Sequence, residues 1–140
     1  MTESEWKLLE RARAPSLVDF ERLAAAAWDR LPAEFRALCR DVLIRVDDFA
    51  TEEILDDLGI ESPFDLMGLY SGVSLDRKSV ADMPREPDMV FLYRRAILDY
   101  WAEGDETLGD LVTHVLVHEI GHHFGLSDDD MEAIEASAGG

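Results

Sequence analysis

The sequence predicts one α+β domain, in which a short mixed sheet packs with an N-terminal helix and a second, central helix. Two observations favour this class. The chain has 140 residues, 47% of them hydrophobic, which is enough for a single core. Helical periodicity comes first, short strand-like runs follow, and a strongly apolar helical segment comes after them. Helices and strands segregated along the chain in this way are typical of α+β proteins.

An N-terminal arm over residues 1–16 is predicted to be separate from a domain over residues 17–140. The apolar side chains that could pack the arm on the domain are Trp6, Leu8 and Leu9. Pro15 interrupts the helical pattern after them. The arm is therefore expected to be loosely attached.

The first helix of the domain is predicted to begin at Ser16, whose hydroxyl can cap it, and to end at Pro32. Its apolar residues are Leu17, Phe20, Leu23, Ala24, Ala27, Trp28 and Leu31. Because they recur at helical spacing, the segment is interpreted as one amphipathic helix.

The middle of the chain predicts short elements separated by turns. In chain order these are a helical turn at 35–38, a strand within 42–49, a helical turn at 51–58, a hairpin of 66–70 with 73–75, a loop at 83–87 and a strand at 89–97. The strand assignments depend on alternating or adjacent β-branched and aromatic residues. Gly59 ends the second helical turn, and the Ser-Gly pair at 71–72 gives the hairpin its turn.

A helix over residues 107–124 is the most apolar element of the sequence. The Thr107 hydroxyl can cap its start, where Asp110 completes a box-like arrangement, and Gly125 ends it. Apolar residues occupy nearly every side of it: Leu108, Leu111, Val112, Val115, Leu116, Val117, Ile120 and Phe124. Such a helix is expected at the centre of the domain.

Two histidines in this helix form a candidate metal site. His118 and His122 lie four residues apart, so both imidazoles project from one face and can reach a single ion. Glu119 is about 100° further round the helix, close enough to hold water on the metal but badly placed as a ligand. This is the H-E-x-x-H arrangement of zinc sites. Taken alone, the pattern is also compatible with core histidines that bond to carbonyl groups.

A third ligand is predicted at Asp128, six residues after His122. Gly125 can adopt a left-handed conformation and turn the chain, so that this carboxylate swings back to the metal. Two imidazoles and one carboxylate leave a fourth position open, as in catalytic zinc sites. Ser127 and Asp130 also resemble a capping box, so Asp128 could instead favour the positive end of a short C-terminal helix. The next candidates for the third ligand are then Glu132, Glu135 and His114.

Three further side chains are interpreted as structural. His114 is expected to be a helix residue near the cleft. His123 points towards an apolar side of the helix and is expected to be a hydrogen-bonded core residue. Cys39, the only cysteine, cannot form an internal disulfide and is expected to be a small buried hydrophobe.

Charge and hydropathy restrict the partners and the location. The 13 basic and 31 acidic side chains give a net charge of −18, which repels phosphate backbones, so nucleic acid is not an expected partner. The same field favours cationic substrates or partners mildly. The apolar stretch at 23–28 is too short for a secretory signal or a membrane span. A cytoplasmic location without membrane attachment is expected, which the single cysteine also suits.

Three blocks of the sequence resemble the bacterial minimal-zincin family of small zinc-dependent metallopeptidases. They are residues 117–131, which hold an H-E-x-x-H-x-x-G-x-x-D pattern, residues 69–73 and residues 91–95. The resemblance extends over residues 31–134 and implies a small zincin-like domain. It implies Zn²⁺ as cofactor, with His118, His122 and Asp128 in the ligand places and Glu119 in the general-base place.

The resemblance implies hydrolysis of peptide bonds in a peptide or protein substrate, with Glu119 taking a proton from activated water. A zincin-scaffold binding module with little catalysis and a zinc hydrolase of a non-peptide bond are the alternatives, and an intact Glu119 favours chemistry. Donors to a developing oxyanion could be Tyr70, Tyr93 or His114. Residues 89–97 are the candidate for an edge strand that pairs with the substrate.

Overall fold

The structure, a computed structural model, describes residues 1–39, 42–72 and 88–139. Within these ranges the chain forms seven α-helices, two short 3₁₀ helices and three strands. The α-helices are α1 (Glu3–Arg11), α2 (Leu17–Arg30), α3 (Ala33–Arg36), α4 (Glu52–Leu58), α5 (Arg94–Glu103), α6 (Leu108–His123) and α7 (Asp128–Gly139). The 3₁₀ helices are Ala37–Cys39 and Pro63–Asp65, and the strands are β1 (Leu43–Asp47), β2 (Gly68–Ser71) and β3 (Met89–Tyr93). The predicted α+β class is confirmed.

The three strands form a mixed sheet in the order β1-β3-β2. β1 runs parallel to β3, and β2 runs antiparallel to it. The fully buried Val90 of β3 is opposite Ile44 on one side and Tyr70 on the other. β3 is therefore the central strand, and its backbone is paired on both sides.

Helix α2 begins with the cap that the sequence predicts. Ser16 Oγ accepts a hydrogen bond from Asp19 N at 3.1 Å, and the Asp19 carboxylate accepts one from Ser16 N at 2.8 Å. The helix buries Phe20, Ala24 and Ala27 as it packs against α6 and β1. The predicted amphipathic helix is confirmed.

Helix α6 lies at the centre of the domain, as its composition predicts. Thr107 Oγ1 accepts a hydrogen bond from Asp110 N at 3.1 Å at its start. Its buried residues are Leu111, Val112, Thr113, Val115, Leu116, Val117, Ile120 and Gly121. Gly125 has a φ of +72°, and Leu126 N donates to Gly121 O at 2.9 Å beyond the end of the helix. This left-handed residue turns the chain into α7.

Helix α7 packs back on α6 through the close approach of Met131 to Gly121. Met131 is fully buried. A Cβ at Gly121 would collide with Met131 Sδ and would lie 2.8 Å from Met131 Cγ. Because only a glycine leaves this space, α7 can bring its later residues beside the histidines of α6.

The predicted strand at 89–97 is wrong in its second half. β3 ends at Tyr93, and α5 begins at Arg94. The buried residues Tyr93, Ala96 and Ile97 recur at spacings of three and four, which suits a helix and not a strand. The expectation that this segment forms a substrate-binding edge is also wrong, because β3 is the central strand.

Both predicted helical turns and the strand predicted within 42–49, which is β1, are confirmed. The turn at 35–38 is formed by α3 and the 3₁₀ helix that follows, and Cys39 is buried. The turn at 51–58 is α4, which ends at Gly59 with a φ of +70°. β2 overlaps the predicted strand at 66–70, and its partner in the described residues is β3. Its second strand at 73–75 and the loop at 83–87 lie outside the described residues.

The N-terminal arm contains a helix that buries none of its residues. α1 has a complete capping box, in which Thr2 Oγ1 accepts from Glu5 N at 3.1 Å and the Glu5 carboxylate accepts from Thr2 N at 3.1 Å. Trp6 is 51% exposed and Leu8 is 73% exposed. The division into an arm and a domain stays a prediction. Among the helices in the described ranges, none is long and apolar enough to cross a membrane.

Candidate metal centre

One face of α6 carries both histidines of the H-E-x-x-H pattern. The ring centroids of His118 and His122 are 5.5 Å apart, and the ring planes are nearly perpendicular, at 89°. His118 is half-buried, and His122 is exposed. Their separation of about one helical turn therefore brings the two rings together on the same side of the helix.

Glu119 lies beneath β2, on the side of α6 that packs on the sheet. The backbone of Gly68 comes so close that a Cβ there would lie 3.0 Å from Glu119 Cγ and 2.8 Å from Val115 Cγ1. Burial raises the pKa of Glu119 to about 7. A carboxyl group with this pKa can accept and release a proton near neutral pH, as a general base must.

Asp128 is the first residue of α7, and its side chain is exposed. The capping box at this helix start is made by its neighbours: Ser127 Oγ accepts from Asp130 N at 3.1 Å, and Asp130 Oδ2 accepts from Ser127 N at 3.3 Å. Asp128 therefore has no part in the capping box. Burial lowers the pKa of His118, and the negative charge of Asp128 acts in the opposite direction.

Comparison with known protein families gives a match. The model of a family described as zincin-like metallopeptidases matches residues 39–138, which include all of α6 and all but the last residue of α7. The chain belongs to this family. The zincin-like fold expected from the sequence is thereby confirmed, and membership of a zincin-like family implies a bound metal, typically zinc. No curated protein matches the chain.

The residues of this zincin-like protein suit zinc by their chemistry. Two imidazoles and one carboxylate are ligands that catalytic zinc sites use, with a fourth position left open. Within the described part of the chain, the donor atoms of His118, His122 and Asp128 are not all within 4.8 Å of one another. His122 and Asp128 are exposed, so they can turn towards an ion without repacking the core. The assignment of these three ligands stays a prediction.

A different set of donor atoms is gathered on the same face of α6. His114 Nδ1 lies 2.6 Å from Glu135 Oε1, and His118 Nε2 lies 3.8 Å from the same oxygen. The ring centroids of His114 and His118 are 3.9 Å apart. In the ranges that the structure describes, these three side chains form the group whose donor atoms all lie within 4.8 Å of one another. The sequence placed Glu135 and His114 only among the reserve ligands.

The position of Glu135 follows from the hairpin of α6 and α7. In an antiparallel helical hairpin, residues at equal distances from the turn face each other. Gly121 faces Met131, and both are five positions from Leu126 in the turn. By the same symmetry, position 118 faces position 134 or 135. The sequence marks the turn at Gly125, so the pairing of position 118 with 134 or 135 could be read from it. This reading requires the knowledge that α7 packs back on α6.

His123 is separated from the other histidines by its packing. Its ring stacks on Tyr70, with centroids 4.0 Å apart, and meets Phe124 edge-on at 5.0 Å. Tyr70 OH in turn donates to Asp88 Oδ2 at 3.0 Å. The half-buried His123 therefore packs on β2, which supports its exclusion from the ligand set.

The three candidate oxyanion donors lie in different environments. Tyr93 is 1% exposed, and burial, with the charges of Asp47 and Glu119, raises its pKa to about 12. Its hydroxyl has no hydrogen-bond partner among the described residues. Burial likewise raises the pKa of Tyr70 to about 12. The side chain of His114 is 46% exposed, and the choice among the three stays open.

Proposed function

We propose that the protein is a zinc-dependent metallopeptidase in which Glu119 is the general base. The zinc ligands in this proposal are His118, His122 and Asp128. Glu119 itself carries the proposal, because it is a half-buried carboxyl group held beneath β2, directly beside the first histidine of the pattern. A module that bound metal and partners without catalysis would have no evident use for such a group.

The chemistry follows from the placement of Glu119. Zinc bound at this site would supply Lewis-acid chemistry, which makes water more acidic and polarises a carbonyl group. Glu119 would accept a proton from the attacking water and return it to the leaving amine. Burial makes this carboxylate a stronger base than an exposed one, so the position beneath β2 suits proton transfer near neutral pH.

The sheet edge nearest to Glu119 is the proposed binding place for a peptide substrate. β2 packs against α6 and is an edge strand within the described residues, where its one strand partner is β3. An extended peptide can add to such an edge through main-chain hydrogen bonds. β2 therefore replaces the central segment 89–97 as the candidate edge, and Gly68 keeps the strand backbone close to Glu119.

Electrostatics favour a cationic substrate. The net charge is −18, and a cavity of about 370 Å³ lies beside the histidine face of α6. It is lined by Glu106, Asp110, Thr113, His114, Glu132, Glu135 and Ala136. Four carboxylates in one cavity favour peptides with lysine or arginine side chains, and they disfavour nucleic acid.

Cleavage of a peptide pool by the zinc-loaded full chain tests the proposal. The pool is a digest of a whole proteome, and mass spectrometry identifies new peptide termini after incubation. We expect new termini that require zinc and that lie near lysine or arginine. A zinc-loaded protein that generates none, at a stoichiometry near one zinc per chain, would contradict the peptidase proposal while leaving the metal site in place.

A further inference from the structure

The group of His114, His118 and Glu135 joins the two helices of the C-terminal hairpin. His114 and His118 are one turn apart on α6, and Glu135 reaches them from α7. Glu135 Oε1 lies 2.6 Å from His114 Nδ1 and 3.8 Å from His118 Nε2. One carboxylate oxygen is thus shared by two imidazoles that are both able to bind a metal.

The separations between these donors are near those of a tetrahedral metal site. With metal–ligand bonds of about 2.0–2.2 Å, two ligands of tetrahedral zinc lie roughly 3.3 Å apart. The observed separations of 2.6 and 3.8 Å bracket this value. The side chain of His114 is 46% exposed and that of Glu135 is 23% exposed, so small rotations can adjust both.

The surroundings of the group favour a cation. The cavity beside it contains His114 and Glu135 together with three further carboxylates, those of Glu106, Asp110 and Glu132. Their field raises the local concentration of cations. The helix packing at Gly121 and Met131 holds α7 against α6, so the group is assembled before any ion arrives.

We propose that His114, His118 and Glu135 form a second divalent-cation site, which shares His118 with the ligand set of the proposed function and rests on that assignment. In this proposal both sites take His118 through Nε2, the nitrogen that faces Glu135, so the two are exclusive and the chain holds one ion at a time. An ion at the second site withdraws His118 from the catalytic set. The hairpin thus contains a second position that competes with the catalytic one for the ion, and the ratio of the two affinities sets the share of chains that is inactive.

Zinc titration of the metal-free full chain tests this proposal without any substrate. A chromophoric chelator of known affinity reports the zinc affinity of wild type, H122A, H122A/E135Q and H122A/E132Q. We expect H122A to bind one zinc about 100-fold more weakly than wild type. Glu135→Gln should weaken this residual binding at least about tenfold further. Glu132→Gln is the matched control for the field of the cavity, because Glu132 lines the same cavity outside the donor group, and it should weaken the affinity far less than Glu135→Gln does.

The other outcomes separate the two proposals. If H122A binds no zinc, or if E132Q and E135Q weaken its residual binding equally, there is no second site. If His114→Gln alone weakens the first zinc as much as H122A does, His114 belongs to the main site and the second site is again rejected. If H122A binds zinc as tightly as wild type, the proposed catalytic set fails, and the exclusive second site fails with it; loss of that zinc in H122A/E135Q would then show that the group around Glu135 is the main site. H122A/H114Q provides the same test should H122A/E135Q fail to fold, which circular dichroism will show.

Discussion

The two ends of the chain use helices in opposite ways. At the N-terminal end, α1 has a complete capping box, but none of its residues is buried. At the C-terminal end, α6 and α7 form a hairpin in which eight residues of α6 are buried and Met131 is fully enclosed. Local signals are sufficient to form helices at both ends, whereas only the C-terminal hairpin is held by buried side chains.

This difference explains why the candidate functional residues lie on the hairpin. Catalytic and metal-binding groups must be held within narrow limits of distance and angle, which packed elements supply. Glu119 is held beneath β2 and Glu135 is held against the histidines by α7. Perturbation of the hairpin should therefore have large effects, and perturbation of α1 small ones.

The largest effect is expected for Glu119→Gln. The amide keeps the shape of the side chain but cannot accept the proton, so the cleavage rate should fall by about 10² to 10⁴ while the zinc content stays near wild type. The rate is measured on a peptide identified in the pool digestion, with Glu21→Gln, a change at an exposed position of α2, as the control. Turnover that survives Glu119→Gln would disprove the role of Glu119 as base, even with zinc bound.

The zinc affinities of alanine variants should distinguish Asp128, a proposed ligand, from its neighbour Asp129. Both are exposed in the first turn of α7, so their helix-dipole contributions are similar, at about 0.3–1 kcal/mol each. Loss of a direct ligand should cost more, so Asp128→Ala is expected to weaken zinc binding about 100-fold. Asp129→Ala should leave it nearly intact, and Asp128→His should restore it in part. Equal zinc affinities in the two alanine variants would show that the third ligand lies elsewhere.

The contact between the two helices of the hairpin should be sensitive to one methyl group. Gly121→Ala forces Met131 to move from a fully buried position, which should destabilise the fold by about 1–3 kcal/mol. Gly109→Ala is the matched control on the same helix, because a Cβ there meets nothing within 4 Å. Urea unfolding measures both. A Gly121→Ala variant as stable as the Gly109→Ala variant would mean that α7 does not pack on α6 as the structure shows.

Much of the fold could be predicted because its helices are marked by local signals. Ser16 and Thr107 cap the starts of the two main helices, and Gly59 and Gly125, both with positive φ, mark the ends of α4 and α6. The H-E-x-x-H histidines share a face for the same local reason, since four residues make about one helical turn. Such features depend on neighbours in the sequence alone.

The remaining features depend on partners that are distant in the sequence. The end of β3 at Tyr93 could not be predicted, because apolar residues continue from β3 into α5. Their spacing changes from that of a strand to that of a helix only after Tyr93. The central position of β3 is set by its pairing with β1 and β2. The contact of Glu135 with His114 likewise requires the packing of α7 on α6 across 21 positions, counted as 135 − 114.

The smallest effect is expected for removal of residues 1–13, which also tests the predicted division between arm and domain. None of the residues of α1 is buried, so its loss should change the free energy of unfolding by no more than about 0.5 kcal/mol. The truncation retains Pro15, whose carbonyl accepts a hydrogen bond from Arg94 Nε, and Ser16, which caps α2. Urea unfolding of the truncated and full chains, both free of metal, makes the comparison. A loss of more than about 1 kcal/mol would show that Trp6 and the leucines of α1 pack on the domain in solution, because surface changes away from such contacts rarely reach that size. The boundary at residue 16 would then be wrong, and α1 would belong to the domain.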